Sequence, residues 1–233
     1  MSLLRRLAGR VAATGSEQQL AAIVMDGCPD LFAADSVGIT LFGENVSSLT
    51  IEATAGTEAF IDQYQRHLWS VDPLLEYLHA QHRAVRDLDV RSREHWLANP
   101  LYTDLAAPLG MVRCMQGPIL ADGRVTGVIY VARRHDRPFS TDAVLDLSSI
   151  SSHVSVQLAR LRWMAMAMAR LRSVLTEREV EVSLLVAKGL TNEQIGHVLG
   201  VSANTIKGTL ARAFRKLGIE SRAELVATLF DGL

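Results

Sequence analysis

The chain has 233 residues, of which 48% are hydrophobic and 21% charged, and its formal net charge is −1. This composition excludes a largely disordered chain, and no apolar run reaches the ~18 residues that a membrane-spanning helix needs. Two cysteines, Cys28 and Cys114, cannot form a disulfide framework. No long apolar segment follows the N-terminal arginines, so we expect a soluble cytoplasmic protein.

The first 165 residues predict a sheet. A helical pattern over residues 17–33 is followed by two β-rich segments, residues 36–42 and 49–53. Further along, Asp122-Gly123 separates two more strand patterns, and an Asp-Gly pair in this position predicts a β-hairpin. We therefore expect an antiparallel sheet.

Helical patterns lie between and after these strands. Three short ones cover residues 57–68, 73–82 and 100–108, and a long one runs from Val144 to about Leu171. The predicted fold class is an α+β domain, an antiparallel sheet with helices on its faces. The long helix has more apolar positions than one sheet face requires, which predicts a homodimer that uses this helix.

The last sixty residues predict four short helices. Capping boxes begin at Thr176, Thr191 and Ser221, and Ser202 is a further N-cap candidate. Gly189, Gly200 and Gly218 each follow an apolar helical pattern, and glycine is the usual residue where a helix ends in the left-handed conformation. The helices are expected at residues 177–188, 192–199, 203–217 and 222–230.

The second and third of these helices predict a helix-turn-helix. Only Gly200-Val201-Ser202 separates them. Apolar spacing predicts that the two helices bury separate stripes, formed by Ile195, Val198 and Leu199 and by Ile206, Leu210, Phe214 and Leu217.

The remaining face of the third helix is basic. Residues 203–217 contain four cations and no acid, whereas residues 1–165 carry 15 arginines against 18 acids. A basic stripe on an otherwise acidic chain is typical of nucleic-acid contact, although solvated helix faces are often basic as well. The predicted DNA-contacting residues lie on this face and at the two helix starts: Thr191, Asn192, Ser202, Asn204, Thr205, Lys207, Gly208, Ala211, Arg212 and Arg215.

Residues 175–226 resemble the C-terminal DNA-binding domain of LuxR-type transcription regulators. The resemblance rests on Leu175-Thr-Glu-Arg-Glu-Val180, Gly189-Leu-Thr-Asn-Glu-Gln-Ile195, Asn204-Thr-Ile-Lys207 and Arg215-Lys-Leu-Gly-Ile219. It implies a four-helix domain that acts as a dimer and whose third helix enters the major groove. Gly208 departs from the pattern, which commonly has a larger side chain there.

The N-terminal half contains a second string that resembles this family. Phe60, Tyr64, Trp69 and Asp72-Pro73 resemble the acyl-homoserine-lactone motif of LuxR sensors, and Trp96 is a candidate for the downstream tryptophan. The resemblance implies that these aromatic residues line a ligand pocket and that Asp72 accepts a hydrogen bond. GAF and PAS sensors share the predicted layout, so the sensor type stays open.

Simpler interpretations apply to the same residues. Asp followed by Pro begins many helices, so Asp72 can act as an N-cap alone, and the aromatic residues can be ordinary core. His79 and His82 share a helix face, but no third ligand completes a metal site. We therefore predict no metal and no cofactor other than a small-molecule effector.

The function predicted from these patterns is a one-component transcription regulator rather than an enzyme. Residues 1–165 would form a sensing and dimerisation domain, 166–174 a linker, and 175–233 the DNA-binding domain. The expected partners are double-stranded promoter DNA, a small effector such as a quorum-sensing signal, a second copy of the chain and RNA polymerase, and no membrane. One alternative is an effector-independent regulator whose N-terminal domain serves protein contacts. A response regulator is disfavoured because the chain has no acidic pair after its first strand.

Overall fold

The computed structural model describes residues 2–42, 50–53, 64 and 69–230, apart from the side chains of 50–53, Trp69 and Phe230. The chain divides into two compact units, residues 1–159 and 160–233. Phe60 and most of the helix predicted at 57–68 lie outside the described residues. Within the described part, no helix has the length and apolar character needed to cross a membrane.

One antiparallel sheet organises the first unit. Its strands are β1 (Ser36–Leu41), β2 (Thr50–Ala53), β3 (Val85–Arg86), β4 (Arg113–Ala121) and β5 (Arg124–Arg133), in the order β2-β1-β5-β4-β3. The predicted hairpin joins β4 to β5. Asp122 and Gly123 both adopt positive φ angles, 50° and 70°, so that a two-residue turn links the strands.

The first face of the sheet carries the main apolar core. Side chains alternate along each strand, and Val37, Ile39, Met115 and Ile129 all point to this face. Three helices cover it: α1 (Leu3–Ala12), α2 (Glu17–Phe32) and the first half of α6 (Thr141–Val174), whose later residues belong to the second unit. Helix α1 was absent from the sequence-based prediction.

Serine side chains fix α6 to the sheet. The strand register shifts between Ile119 and Leu120, and at this point the Leu120 N–H donates to Ser155 Oγ at 2.9 Å. Ser148 Oγ accepts a second backbone N–H at 3.3 Å, from Ala84. Together these bonds fix the rotation of this part of the helix relative to the sheet.

Shorter elements cover the second face. They are α3 (Pro73–Gln81), α4 (Asp87–Val90), α5 (Arg93–Leu97) and a π-helical segment, Leu101–Ala106. Their buried side chains form a separate cluster with Val125 and Val128 of β5. The observed layout confirms the predicted α+β fold class.

The second unit contains the four predicted short helices, α7 (Glu177–Ala187), α8 (Asn192–Leu199), α9 (Ala203–Leu217) and α10 (Arg222–Phe230). Thr176 and Thr191 form the expected capping boxes, and Ser202 Oγ accepts the Thr205 N–H. The prediction for Val198 was wrong. This side chain is 61% exposed, because it lies on the side of α8 away from the contact with α9.

Gly196 sets how closely α8 approaches the turn that follows it. A Cβ at this position would lie 2.6 Å from the carbonyl oxygen of Val201, which is backbone and cannot rotate away. The Val201 N–H also donates to the Gly196 carbonyl at 2.9 Å. The missing side chain therefore allows the tight helix-turn-helix.

A buried carboxylate joins α7 to α9. Glu179 is 3% exposed and accepts hydrogen bonds from Lys216 Nζ at 2.7 Å and from the Thr176 N–H at 2.9 Å. The hydrogen bond from Lys216, reinforced by that from Thr176, holds the pKa of Glu179 below its usual value. The ionised form of Glu179 thus adds a polar contact to the apolar packing of α9 against α7.

We expect Gly196→Ala to lower the free energy of unfolding by about 1–3 kcal/mol, because the added methyl group forces α8 away from the turn. The control is Gly208→Ala in α9, where the nearest atom would lie 4.0 Å from the new Cβ. That variant should gain up to ~1 kcal/mol from helix propensity. Urea denaturation of both full-length variants measures the difference, and equal stabilities would contradict the role of Gly196.

Glu179→Gln should cost about 1 kcal/mol at neutral pH, since Lys216 is partly exposed and its ion pair is screened. A carboxylate with a lowered pKa stabilises the fold above its unfolded pKa of 4.5, and this contribution is lost as the pH falls through the folded value. The difference between variant and parent should therefore shrink in acid. Urea titrations at neutral pH and at a pH well below 4.5 provide the measurement, with the surface-paired Glu181→Gln as control.

Candidate functional site

A cavity of about 80 Å³ lies on the second face of the sheet, beneath α5 and the π-helical segment. Its wall is largely apolar, with a few polar groups contributed by the strands. The described lining residues are Ser36, Thr40, Phe42, Tyr64, Trp96, Leu101, Leu105, Ala106, Leu109, Met111, Cys114, Gln116, Val128, Tyr130 and Ala132. None of these side chains carries a charge at neutral pH.

The carboxylate of Asp72 lies directly behind this wall. Its Oδ1 accepts the N–H groups of Leu74 and Leu75 at 2.8 and 3.2 Å, so Asp72 is the N-cap of α3. Its Oδ2 accepts hydrogen bonds from Tyr64 Oη at 2.8 Å and from Gln116 Nε2 at 2.9 Å. Both of these donors line the cavity, and Asp72 therefore supports two wall residues from outside.

Burial governs the ionisation of these groups. Desolvation raises the pKa of Asp72, and the bonds from Gln116 and Tyr64 oppose that shift. Burial also raises the pKa of the Cys114 thiol, as does the nearby charge of Asp87. Cys114 therefore presents a protonated, weakly nucleophilic thiol to the cavity.

The predicted ligand-binding residues have different places in the structure. Tyr64 and Trp96 line the cavity, whereas Asp72 contacts it through its partners. Phe60 lies outside the described residues, and of Trp69 only the backbone is described, in a 3₁₀ turn.

Sequence reasoning missed Gln116 and Tyr130. Gln116 lies in β4 and Tyr130 in β5, and both strands were predicted. The alternation of side chains along these strands could have shown that the two residues face away from the main apolar core. Tyr130 fits because it lies opposite Gly38 in β1, where a Cβ would be 1.9 Å from the tyrosine ring.

A second candidate site lies in the second unit, where the N-termini of α8 and α9 line an open depression. Thr191, Asn192, Ala203, Asn204 and Lys207 surround it, together with Glu193. Four of the ten predicted DNA-contacting residues line this depression. The other six do not line it and are exposed or half-buried: Ser202, Thr205, Gly208, Ala211, Arg212 and Arg215. Ser202 and Thr205 bond each other at 2.8 Å.

The cations of α9 differ in their surroundings. Lys216 is bound to Glu179, and Arg212 lies 3.9 Å from the same carboxylate and donates to Thr209 Oγ1 at 3.2 Å. Lys207 and Arg215 are exposed and form no hydrogen bond or ion pair within the described part of the chain. These two cations are available to an outside partner.

Two protein families match different parts of the chain. Residues 173–229 match the family described as bacterial regulatory proteins, luxR family. Residues 16–158 match the GAF domain, which accounts for more than half of the chain.

Curated relatives match over a short segment. A transcriptional regulatory protein, YdfI of Bacillus subtilis, is 40% identical over 70 residues, which are 30% of this chain and 33% of that protein. The nitrate/nitrite response regulator NarP of Escherichia coli is 48% identical over 50 residues, 22% of this chain and 23% of that protein. The match thus covers no more than about a third of either relative.

Solved structures show the same folds at low identity. SdiA of Escherichia coli superposes with a TM-score of 0.50 and 17% identity, covering 97% of this chain and 94% of SdiA. A GAF domain from a Coxiella burnetii phosphotransferase gives a TM-score of 0.52 at 15% identity, covering 69% and 92%. The chain therefore belongs to the GAF-domain family through residues 16–158, and its residues 173–229 form a helix-turn-helix domain of the kind found in the luxR family of bacterial regulatory proteins.

Proposed function

We propose that this chain is a one-component transcription regulator that binds promoter DNA through α9 and responds to a small neutral molecule in the GAF-domain cavity. The observation that carries the proposal is the exposed face of α9. On this face an exposed lysine without a partner among the described residues, Lys207, stands beside the small residues Gly208 and Ala211, on a helix that directly follows a tight turn.

The chemistry of this face suits duplex DNA. Lys207 lies one turn into α9, and Gly208 and Ala211 beside it leave its side chain unobstructed. A helix of this kind can enter the major groove, where lysine reaches guanine O6 and N7. Asn192 and Asn204 at the two helix starts can donate to phosphates, which the helix N-termini also attract. Arg215, further along the helix, would contact the DNA backbone.

The GAF domain supplies the sensing part of the proposal. The cavity wall, largely apolar with few polar groups, has the composition that is usual for a small-molecule site, while its volume of about 80 Å³ is below the ~300 Å³ of most such sites. SdiA, which shares the fold, has been solved with octanoyl-rac-glycerol, and an acyl-homoserine lactone is another neutral ligand of comparable chemistry. Native mass spectrometry of the purified protein tests for a retained molecule.

A second copy of the chain completes the proposal. Leu145 and Val156 of α6 are 62% and 72% exposed and lie three helical turns apart on one face. Exposed aliphatic side chains on one helix face favour a partner helix. We propose residues 1–165 for sensing and dimerisation and 175–233 for DNA binding, with 166–174 between them. Ligand binding would favour the dimer geometry that places two α9 helices one DNA turn apart.

Lys207→Ala should cost about 1–3 kcal/mol of binding to a duplex selected from a random library and relax preference at one base pair. Titrations at several salt concentrations against selected and scrambled duplexes provide the measurement. The control is Lys188→Ala, a lysine at the C-terminus of α7. Equal weakening on both duplexes would assign Lys207 to phosphate. Unchanged binding to both would contradict the proposed docking.

Leu145→Glu and Val156→Glu should shift the protein towards monomer, because each places a charge in the proposed contact between two α6 helices. Light scattering at tens of micromolar, with and without DNA, measures the mass. Leu88→Glu serves as control, since Leu88 is also exposed but lies in α4. A parent protein that is monomeric in both conditions would contradict the dimer.

A further inference from the structure

We infer that the cavity selects neutral molecules that carry an N–H or O–H donor beside a carbonyl acceptor, and that Gln116 and Trp96 recognise these two groups. The inference rests on the proposed function in that it treats the cavity as a ligand site. It assigns the contacts to residues other than Asp72, which acts as a positioning residue.

The amide of Gln116 has a fixed orientation. Four donors converge on the two carboxylate oxygens of Asp72, and an ionised carboxylate only accepts hydrogen bonds. The NH₂ group of Gln116 must therefore face Asp72, which turns Oε1 the other way. Gln116 is only 8% exposed, and its Oε1 has no hydrogen-bond partner among the described residues. A buried carbonyl oxygen in this state requires a donor.

The indole of Trp96 presents the opposite requirement. The side chain is 1% exposed, and Nε1–H, a donor only, has no acceptor within the described part of the chain. It lines the same cavity as Gln116. A ligand with one donor and one acceptor would satisfy both groups. A ligand with acceptors alone would leave Gln116 Oε1 unpaired, and a ligand with donors alone would leave Trp96 Nε1–H unpaired.

The rest of the wall restricts the ligand further. No described lining side chain is charged, and the carboxylate behind the wall, Asp72, already accepts four hydrogen bonds, so a ligand ion would find no free counter-charge. The leucine and methionine side chains of the π-helical segment and its neighbours favour an aliphatic portion. Secondary amides and hydroxy ketones meet these conditions, whereas carboxylates and amines do not.

A matched pair of probes tests the donor. N-butylacetamide and butyl acetate have nearly the same shape, but only the amide has an N–H. Titration into the ¹⁵N-labelled full-length protein follows the indole resonance of Trp96, identified by its absence in Trp96→Phe. We expect the amide to move this resonance downfield and to bind about tenfold more tightly than the ester.

Variants separate recognition from packing. Gln116→Met should abolish the preference for the amide, whereas Gln18→Met, at an exposed position of α2, should retain it. Asp72→Asn replaces an acceptor with an NH₂ group and so forces the Gln116 amide to rotate. That variant should prefer the ester, because its cavity now offers a donor in place of Oε1. A purely structural role of Asp72 would weaken both probes equally.

Equal affinities of the two probes for the parent protein, or no response of Trp96 to either, would overturn the inference without use of any variant. The proposed function fails separately. If Lys207→Ala loses DNA binding and a retained molecule is found while the amide preference is absent, the regulator stands and the assigned recognition is wrong. If the amide preference is present while DNA binding is unaffected by Lys207→Ala, the recognition stands and the docking is wrong.

Discussion

The burial of one carboxylate organises the first unit. Asp72 is withdrawn from water, which is costly for a charge, and four hydrogen-bond donors offset that cost. The donors come from the start of α3, from Tyr64 eight residues before Asp72, and from Gln116 of β4, which lies 44 residues further along the chain. The cavity lies on the far side of these contacts, and two of its polar wall residues, Tyr64 and Gln116, are held in place by Asp72.

A buried carboxylate also lies in the second unit, but there the pKa shifts in the opposite direction. Glu179 is buried beside two cations of α9, and its pKa is lowered because the hydrogen bond from Lys216 outweighs desolvation. Asp72 lacks a neighbouring cation among its bonded partners, and its pKa is raised. Glu179 withdraws positive charge from the face of α9 and leaves Lys207 as the exposed cation nearest to the helix start. The basic residues of α9 therefore divide into two that lie close to Glu179, Arg212 and Lys216, and two that stay exposed, Lys207 and Arg215.

The sequence was most informative where structure is set locally. Caps at Thr176, Thr191 and Ser202 act within four residues, and the helix starts that they predict agree with the observed ones. Val198 was misassigned because apolar spacing cannot show which side of a short helix its neighbour covers. Gln116 was missed because its partner Asp72 lies 44 residues away, and no local pattern reports such a bond. Tyr64 and Trp96 were found through family resemblance, and their roles in binding stay predictions.

The strand order also constrains how the protein is made. Strand β1 lies between β2 and β5, and Ser36 pairs with Ala132, far along the chain. During synthesis, the inner edge of β1 therefore remains open until the whole β4–β5 hairpin has emerged, and a long loop must close before the core can form. The four C-terminal helices contact near neighbours and have no comparable delay. Folding on the ribosome should thus be limited by sheet closure, the stage at which an unpaired strand edge is most exposed to aggregation.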